Sequence, residues 1–210
     1  MARYIGPVCR MCRREGTKLF FKGSRCLTEK CAFDRRGYPP GQHGQSGKKS
    51  KPTDYLMQLR EKQKVKHIYG LLERQFRGYF RKAAKSKGAT GEVLLQMLER
   101  RLDNVVFRAG FAQSRNEARQ MVRHGLFQVN GTKVNLPSFL VKEGDIVEVR
   151  EGRREYIRIK DAIANIGNKI IPTWIVMEPD NYRTRVVSLP ARGEILLPIS
   201  EQLIVELYSK

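Results

Sequence analysis

Four cysteines are the residues of this chain best suited to hold a metal ion. They form two close pairs, Cys9-x2-Cys12 and Cys26-x4-Cys31, and no other cysteine occurs in the sequence. In a reducing compartment, such pairs favour a four-thiolate metal site over disulfide bonds, because each close pair can supply two of the four ligands of a tetrahedral site. Zinc is the expected metal for a closed structural site, and an iron–sulfur cluster on the same cysteines is the alternative.

Positive charge is the second chemical feature of the sequence. The chain has 41 Lys and Arg against 21 Asp and Glu, which gives a net charge of +20. Residues 1–96 carry +16 of this charge, and residues 97–210 carry +4. Because a solvated surface normally mixes both signs, this excess predicts a polyanionic partner, of which nucleic acid is the commonest.

An anionic membrane is the rival partner for so basic a chain. No apolar run approaches the ~20 residues that a transmembrane helix needs. Residues 1–7 also lack the apolar region of a signal peptide. The sequence therefore predicts a soluble, cytosolic protein without a membrane partner.

The segment 34–52 is rich in glycine, proline and basic residues, which forbid a long helix. A flexible linker is one interpretation of this composition. We favour an extended segment that becomes ordered along RNA, because Tyr38 and His43 can stack on bases.

A helix between Ser114 and Gly125 is expected to position several basic residues, and the sequence contains signals for both of its ends. Ser114 and Glu117 have the spacing of a capping box, and Gly125 stands where a left-handed residue ends a helix. Three arginines recur at four-residue intervals inside it and are expected to share one face: Arg115, Arg119 and Arg123. After the helix, Asn130-Gly131 predicts a β-hairpin that carries Lys133.

Further elements flank this helix and hairpin. Three helices are expected between residues 53 and 102, the first capped by Thr53 or Asp54. Residues 170–177 and 184–189 are typical of strands. Ser200 is expected to cap a last helix over 201–208, which docks on the helices of residues 53–96; a strand remains the alternative for its centre.

The residues from Leu102 to Val149 resemble the S-four RNA-binding module, which also occurs in pseudouridine synthases, tyrosyl-tRNA synthetases and a small heat-shock RNA-binding protein. Four segments outside the module extend the resemblance: 3–16, 38–44, 59–64 and 201–209. With them, the chain is similar from end to end to the bacterial small-subunit ribosomal protein S-four family, in the form that keeps four cysteines.

This resemblance implies an α+β, multi-domain fold. Residues 1–45 are expected to form a small N-terminal segment stapled by a metal and followed by a basic extended loop. Residues 46–96 form a mostly helical domain that residues 160–210 complete. Residues 97–159 form the inserted S-four module.

The resemblance also implies a non-catalytic function in the ribosome, in the cytoplasm. The protein is expected to bind a junction in the 5′ domain of small-subunit ribosomal RNA early in assembly and to influence decoding accuracy. Its expected neighbours are small-subunit ribosomal proteins five and three, and messenger RNA where it enters the subunit. No small-molecule substrate is expected.

Two groups of site residues are predicted. The metal ligands are Cys9, Cys12, Cys26 and Cys31. The RNA-binding residues are Arg3, Tyr4, Arg10, Arg13, Arg35, Arg36, His43, Lys48, Lys49, Arg60, Lys64, Arg115, Arg119, Arg123 and Lys133.

Two other functions remain as alternatives. An RNA-modifying enzyme that docks through the module needs a catalytic base or nucleophile, but the three histidines are scattered among basic segments. A zinc-dependent nucleic-acid-binding regulator needs a recognition helix, and none lies between the cysteine pairs.

Overall fold

The computed structural model of the chain describes residues 3–46 and 51–209. Its α-helices are α1 (Cys9–Glu15), α2 (Ala32–Arg35), α3 (Asp54–Ile68), α4 (Glu73–Ala84), α5 (Thr90–Glu99), α6 (Leu102–Arg108), α7 (Arg115–Arg123), α8 (Ile157–Ala164) and α9 (Glu201–Tyr208). Its strands are β1 (Phe127–Val129), β2 (Thr132–Lys133), β3 (Ile146–Val149), β4 (Ile175–Glu178) and β5 (Arg183–Val186). The α+β class is confirmed. Within the described residues, no helix is long and apolar enough to cross a membrane.

The backbone divides into two units. The first comprises Met1–Val93 with Leu197–Lys210, and the second comprises Leu94–Leu196. Helix α5 begins in the first unit and ends in the second.

Helices α3, α4 and α9 form the centre of the first unit. Thr53 caps α3, because its hydroxyl accepts a hydrogen bond of 3.3 Å from the backbone N–H of Leu56. The apolar side of α4 is buried through Phe76 and Phe80, as its four-residue spacing predicts. Their burial leaves the basic residues of α4 on the solvent side.

The C-terminal segment 201–208 is a helix, which excludes the strand alternative. Ile204 of α9 is fully buried, and the ring of Tyr208 lies 4.5 Å from the ring of Phe80, centroid to centroid. The hydroxyl of Ser200 makes no capping bond; instead its backbone N–H donates to the carboxylate of Glu61 at 2.9 Å. Helix α9 therefore docks on α3 and α4, as predicted.

The second unit is built on a five-stranded antiparallel sheet with the strand order β2-β1-β3-β5-β4. Helices α6 and α7 contribute Val105, Ala118 and Val122 to its hydrophobic core. The strands contribute buried residues that alternate with more exposed ones, such as Val147 and Val149 of β3. This core holds the predicted helix and hairpin in one body.

The hairpin and the helix end have the backbone that the sequence predicts. Asn130 and Gly131 both have positive φ angles, 49° and 77°, which is the pattern of a two-residue hairpin turn. Gly125 follows α7 with a φ of 67°. The hydroxyl of Ser114 accepts from the N–H of Glu117 at 3.3 Å, and the Glu117 carboxylate accepts from the N–H of Gln113 at 2.9 Å.

The domain boundary at residue 159 differs from the prediction. Residues 160–196 were expected to complete the helical domain, but β5 pairs with β3 in the sheet of the second unit. The physical reason is burial: Trp174, Ile175 and Val186 pack into the same core as Val147. Only the last segment, 197–210, returns to the first unit.

Candidate nucleic-acid interface

Six of the predicted RNA-binding residues in the first unit are solvent-exposed. They are Arg3, Tyr4, Arg10, Arg35, Arg36 and His43. Lys48 and Lys49 lie outside the described residues. Exposure of the four arginines leaves their guanidinium groups accessible to a phosphate backbone.

Three other predicted RNA-binding residues of the first unit are half-buried and make contacts within the fold. Arg13 donates to the carbonyl oxygen of Tyr38 at 2.9 Å, and its guanidinium lies 4.8 Å from the centre of the Tyr38 ring. Arg60 pairs with Glu15, whose pKa is raised by burial despite this partner. Lys64 pairs with Glu61 at 2.8 Å and donates to the carbonyl of Pro198 at 2.7 Å. These three cations brace neighbouring segments.

The arginine row of α7 does not form one exposed face. Arg123 is exposed, Arg115 is half-buried, and Arg119 is only 4% exposed. Arg119 donates to the carboxylate of Asp103 at 3.0 Å, so its charge is used inside the second unit. This burial argues against the predicted contact of Arg119 with RNA, because a guanidinium held by a buried carboxylate is poorly accessible to phosphate.

Lys133 and Arg123 remain exposed near the C-terminal end of α7. The side chain of Lys133 lies over Gly125, where an added Cβ atom would come within 2.7 Å of the lysine Cε. Glycine at this position therefore allows both the left-handed backbone and the close approach of the lysine. The guanidinium of Arg150 also reaches this turn and donates to the carbonyl of Gly125 at 3.3 Å.

A groove near this turn contains two arginines that are not among the predicted RNA-binding residues. It is lined by Gln128, Arg150, Glu151, Gly152 and Arg153. The sequence signal was present, since two arginines follow β3 within four residues. Their mixed-sign surroundings concealed it.

None of the four cysteines forms a disulfide bond, and three of them are buried: Cys12, Cys26 and Cys31. Burial raises the pKa of the Cys12 thiol, a backbone hydrogen bond from Leu19 opposes the rise, and the other three cysteines add to it. The other three sulfur atoms therefore lie within electrostatic reach of Cys12. Within residues 3–46 and 51–209, however, no three potential ligands are arranged to hold a metal ion. The fit to a metal thus rests on the donor set and its burial.

The sequence matches two family models that together define a class of RNA-binding protein. The ribosomal protein S4/S9 N-terminal domain matches residues 3–99, and the S4 domain matches residues 100–147. The second match ends within β3, whereas the sheet continues through β4 and β5.

Full-length relatives specify the family within this class. The small ribosomal subunit protein uS4 of Syntrophus aciditrophicus is 61% identical over 210 residues, which cover all of both chains. The uS4 protein of Citrifermentans bemidjiense and the uS4A protein of Symbiobacterium thermophilum are each 58% identical over the same full length. The chain belongs to the small ribosomal subunit protein uS4 family.

Proposed function

We propose that this chain is a structural constituent of the small ribosomal subunit and binds its ribosomal RNA. The observation that carries this proposal is the full-length identity of 61% to a small ribosomal subunit protein. The net charge of +20 and the exposed arginines of both units support it. In this role, in the ribosome of the cytoplasm, the chain acts by binding and not by catalysis.

The expected binding site is a multi-helix junction in the 5′ domain of the RNA, occupied early in assembly. Small-subunit ribosomal proteins five and three are the expected neighbours, and messenger RNA passes nearby as it enters the subunit. A position there gives the protein its expected influence on decoding accuracy. These finer statements rest on the family resemblance.

The exposed cations supply affinity through phosphate neutralisation. Each phosphate that an arginine or lysine neutralises releases counterions, so binding is expected to weaken steeply as salt rises. Contacts to the backbone set position and orientation, while the shape of the folded junction supplies selectivity. Exposed side chains such as Arg10, Arg35, Arg123 and Lys133 are suited to this task.

A binding assay with two transcripts tests the proposal. The first transcript contains the 5′ domain of small-subunit ribosomal RNA, and the control has the same length and base composition but mispaired junction helices. We expect the full chain to bind the native junction at least about tenfold more tightly at matched salt, since specific binding exceeds nonspecific binding by more than this in nucleic-acid complexes. Equal affinity for both transcripts would contradict the proposal.

We also propose that Cys9, Cys12, Cys26 and Cys31 bind one zinc ion. The burial of Cys12, Cys26 and Cys31, the electrostatic effect of the other three cysteines on Cys12, and the absence of disulfides among the described cysteines support a four-thiolate site. Such a site would staple an N-terminal segment in which, among described residues 3–45, Leu19 is the one buried apolar residue besides the cysteines.

Elemental analysis of the purified chain tests this second proposal. One zinc per chain is expected, and Cys26→Ser combined with Cys31→Ser should abolish it. Metal removal should make residues 1–45 sensitive to protease while the second unit stays resistant. Iron with labile sulfide would indicate the cluster instead, and a metal-free chain with a resistant N-terminal segment would refute metal binding.

A further inference from the structure

One buried carboxylate holds two arginines at the surface of the second unit. The side chain of Glu99, the last residue of α5, is only 1% exposed. Arg108 donates to it at two points, from Nε to Oε2 at 2.9 Å and from Nη2 to Oε1 at 2.9 Å. The Nη2 atom of Arg115 lies 3.9 Å from the same Oε1 atom. The two guanidinium groups are thereby held side by side.

Two residues of α6 fix the orientation of Arg115. The Oδ1 atom of Asn104 accepts from Nε of Arg115 at 2.7 Å, and the guanidinium stacks 4.5 Å from the centre of the Phe107 ring. The Nδ2 atom of Asn104 donates to the Glu99 carboxylate at 2.6 Å and to the Glu99 carbonyl at 3.0 Å. Asn104 therefore cannot turn without breaking bonds on both sides. Arg115 is restrained from three directions.

The surrounding cluster carries excess positive charge. Its second carboxylate, Asp103, accepts hydrogen bonds from Arg101 and Arg119, whose side chains are 1% and 4% exposed. Four guanidinium groups and two carboxylates give these six side chains a net charge of +2. The cluster reaches solvent mainly through Arg108 and Arg115, whose side chains are 15% and 14% exposed. Charge excess in a partly buried site favours an anion at this opening.

We propose that Arg108 and Arg115 form a clamp for one RNA phosphate group and that Glu99 is its positioning residue. This inference rests on the proposed RNA-binding function and names a part of the interface. A guanidinium presents its donors in a planar fork that matches phosphate oxygens. Because Glu99 and Asn104 already order the two guanidinium groups through hydrogen bonds, little side-chain freedom is lost when the phosphate binds.

The sign of the effect at Glu99 separates positioning from simple electrostatics. Glu99 is negative and therefore repels a phosphate at short range. If its charge acted only through space, Glu99→Gln would strengthen RNA binding. If it orders the two arginines, the same substitution weakens binding, because glutamine holds two guanidinium groups less firmly.

The test measures binding of the full chain to the 5′-domain transcript over a range of salt concentrations. Arg108→Gln is expected to weaken binding roughly ten- to hundredfold, as the loss of hydrogen bonds between charged partners does. It should also make the logarithmic salt dependence shallower by about one. Arg108→Lys keeps the charge and loses the fork, so it should weaken binding with an unchanged salt dependence.

Glu99→Gln is expected to weaken binding about tenfold, which corresponds to the loss of one ordered charged contact. Glu117→Gln is the matched control in the same unit, since Glu117 also pairs with an arginine, Arg158 at 2.8 Å, and accepts a backbone hydrogen bond. The control should not weaken binding. Urea unfolding followed by Trp174 fluorescence checks that each variant is folded. If Glu99→Gln does not fold, the affinity of Arg108→Lys decides whether the guanidinium geometry matters for RNA binding.

Two results overturn the inference. One is wild-type affinity and salt dependence for Arg108→Gln, and the other is tighter binding by folded Glu99→Gln. Failure of the wild-type chain to prefer the native junction is a separate result, because it refutes the proposed function before any variant is compared.

Discussion

Replacing Arg119 and Arg123 by alanine, one at a time, separates fold from RNA contact on a single helix. Arg119 is buried and donates to Asp103 at 3.0 Å, whereas Arg123 is exposed four residues later. A hydrogen bond between charged partners contributes about 1.5–3 kcal/mol, and a buried charge that loses its partner costs about 3–5 kcal/mol. Asp103 keeps Arg101 at 2.6 Å, so the lower range applies. We expect Arg119→Ala to reduce the free energy of unfolding by about 2–3 kcal/mol.

The assay is built into the chain, because its one tryptophan, Trp174, is 2% exposed in the core of the second unit. Its fluorescence follows the unfolding of that unit in urea. With a denaturant slope of about 1–3 kcal/mol per molar, Arg119→Ala should lower the midpoint by roughly 0.7–3 M. Arg123→Ala should change stability by less than about 0.5 kcal/mol and make the salt dependence of RNA binding shallower by about one. An unchanged midpoint for Arg119→Ala, together with a shallower salt dependence, would refute this reasoning.

Three further substitutions test the fold of each unit. Gly131→Val should destabilise the second unit by about 1–2 kcal/mol, because a β-branched residue resists the φ of 77°. Gly152→Ala is the control, since an added Cβ there meets no atom within 4 Å. Equal effects of the two substitutions on the unfolding midpoint followed by Trp174 would contradict this reasoning. Burial lowers the pKa of His67 from 6.5 to about 4, so the unfolded first unit binds the proton first and its stability falls as pH drops through this window. His67→Gln should flatten this dependence in helix circular dichroism, and an unchanged profile would exclude His67 as its source. Tyr208→Phe keeps the ring on Phe80 and loses the 2.8 Å bond to Glu73, which should reduce stability by about 1 kcal/mol; no loss would mean that water replaces the bond fully.

Elements with local signals were predictable from the sequence. The cap at Ser114, the left-handed Gly125 and the Asn130-Gly131 turn each depend on a few neighbouring residues, and the structure has all three. The helix over 201–208 also needed only its own apolar spacing and the family resemblance. Such features are set by backbone geometry and nearby hydrogen bonds, so a short window of sequence contains the information.

The fate of the arginine row shows what spacing alone leaves open. Residues four apart on an α-helix are offset by about 40°, because 3.6 residues complete a turn. Relative to the buried Val122, Arg115 therefore lies at about 20°, Arg119 at about 60° and Arg123 at about 100° around the helix axis. The first two border the apolar face and the third has turned away from it. Arg115 pairs with the buried carboxylate of Glu99, and Arg119 pairs with that of Asp103. Helix spacing does not predict these pairs, because the tertiary fold brings the carboxylates near the arginines.

The predicted domain boundary at residue 159 differs from the structure for a related reason. Strand character around 175 and 184 was visible in the sequence, but a strand does not say which sheet it joins. The pairing of β5 with β3 links residues about forty positions apart, and it is selected by the burial of Trp174, Ile175 and Val186 in one core. A domain built of helices has no sheet edge with which these strands could form hydrogen bonds.

The internal use of basic residues changes what the net charge of +20 means. Arg13, Arg60, Lys64 and Arg119 are engaged with backbone carbonyls or carboxylates, so part of the positive charge stabilises the fold. An RNA backbone can be neutralised only by cations that reach it, and each one contributes about one to the salt dependence. The measured salt dependence should therefore follow the number of exposed and clamped arginines and lysines, and fall well below a value scaled from the total charge. For this chain, accessibility and not composition determines the strength of the electrostatic contact.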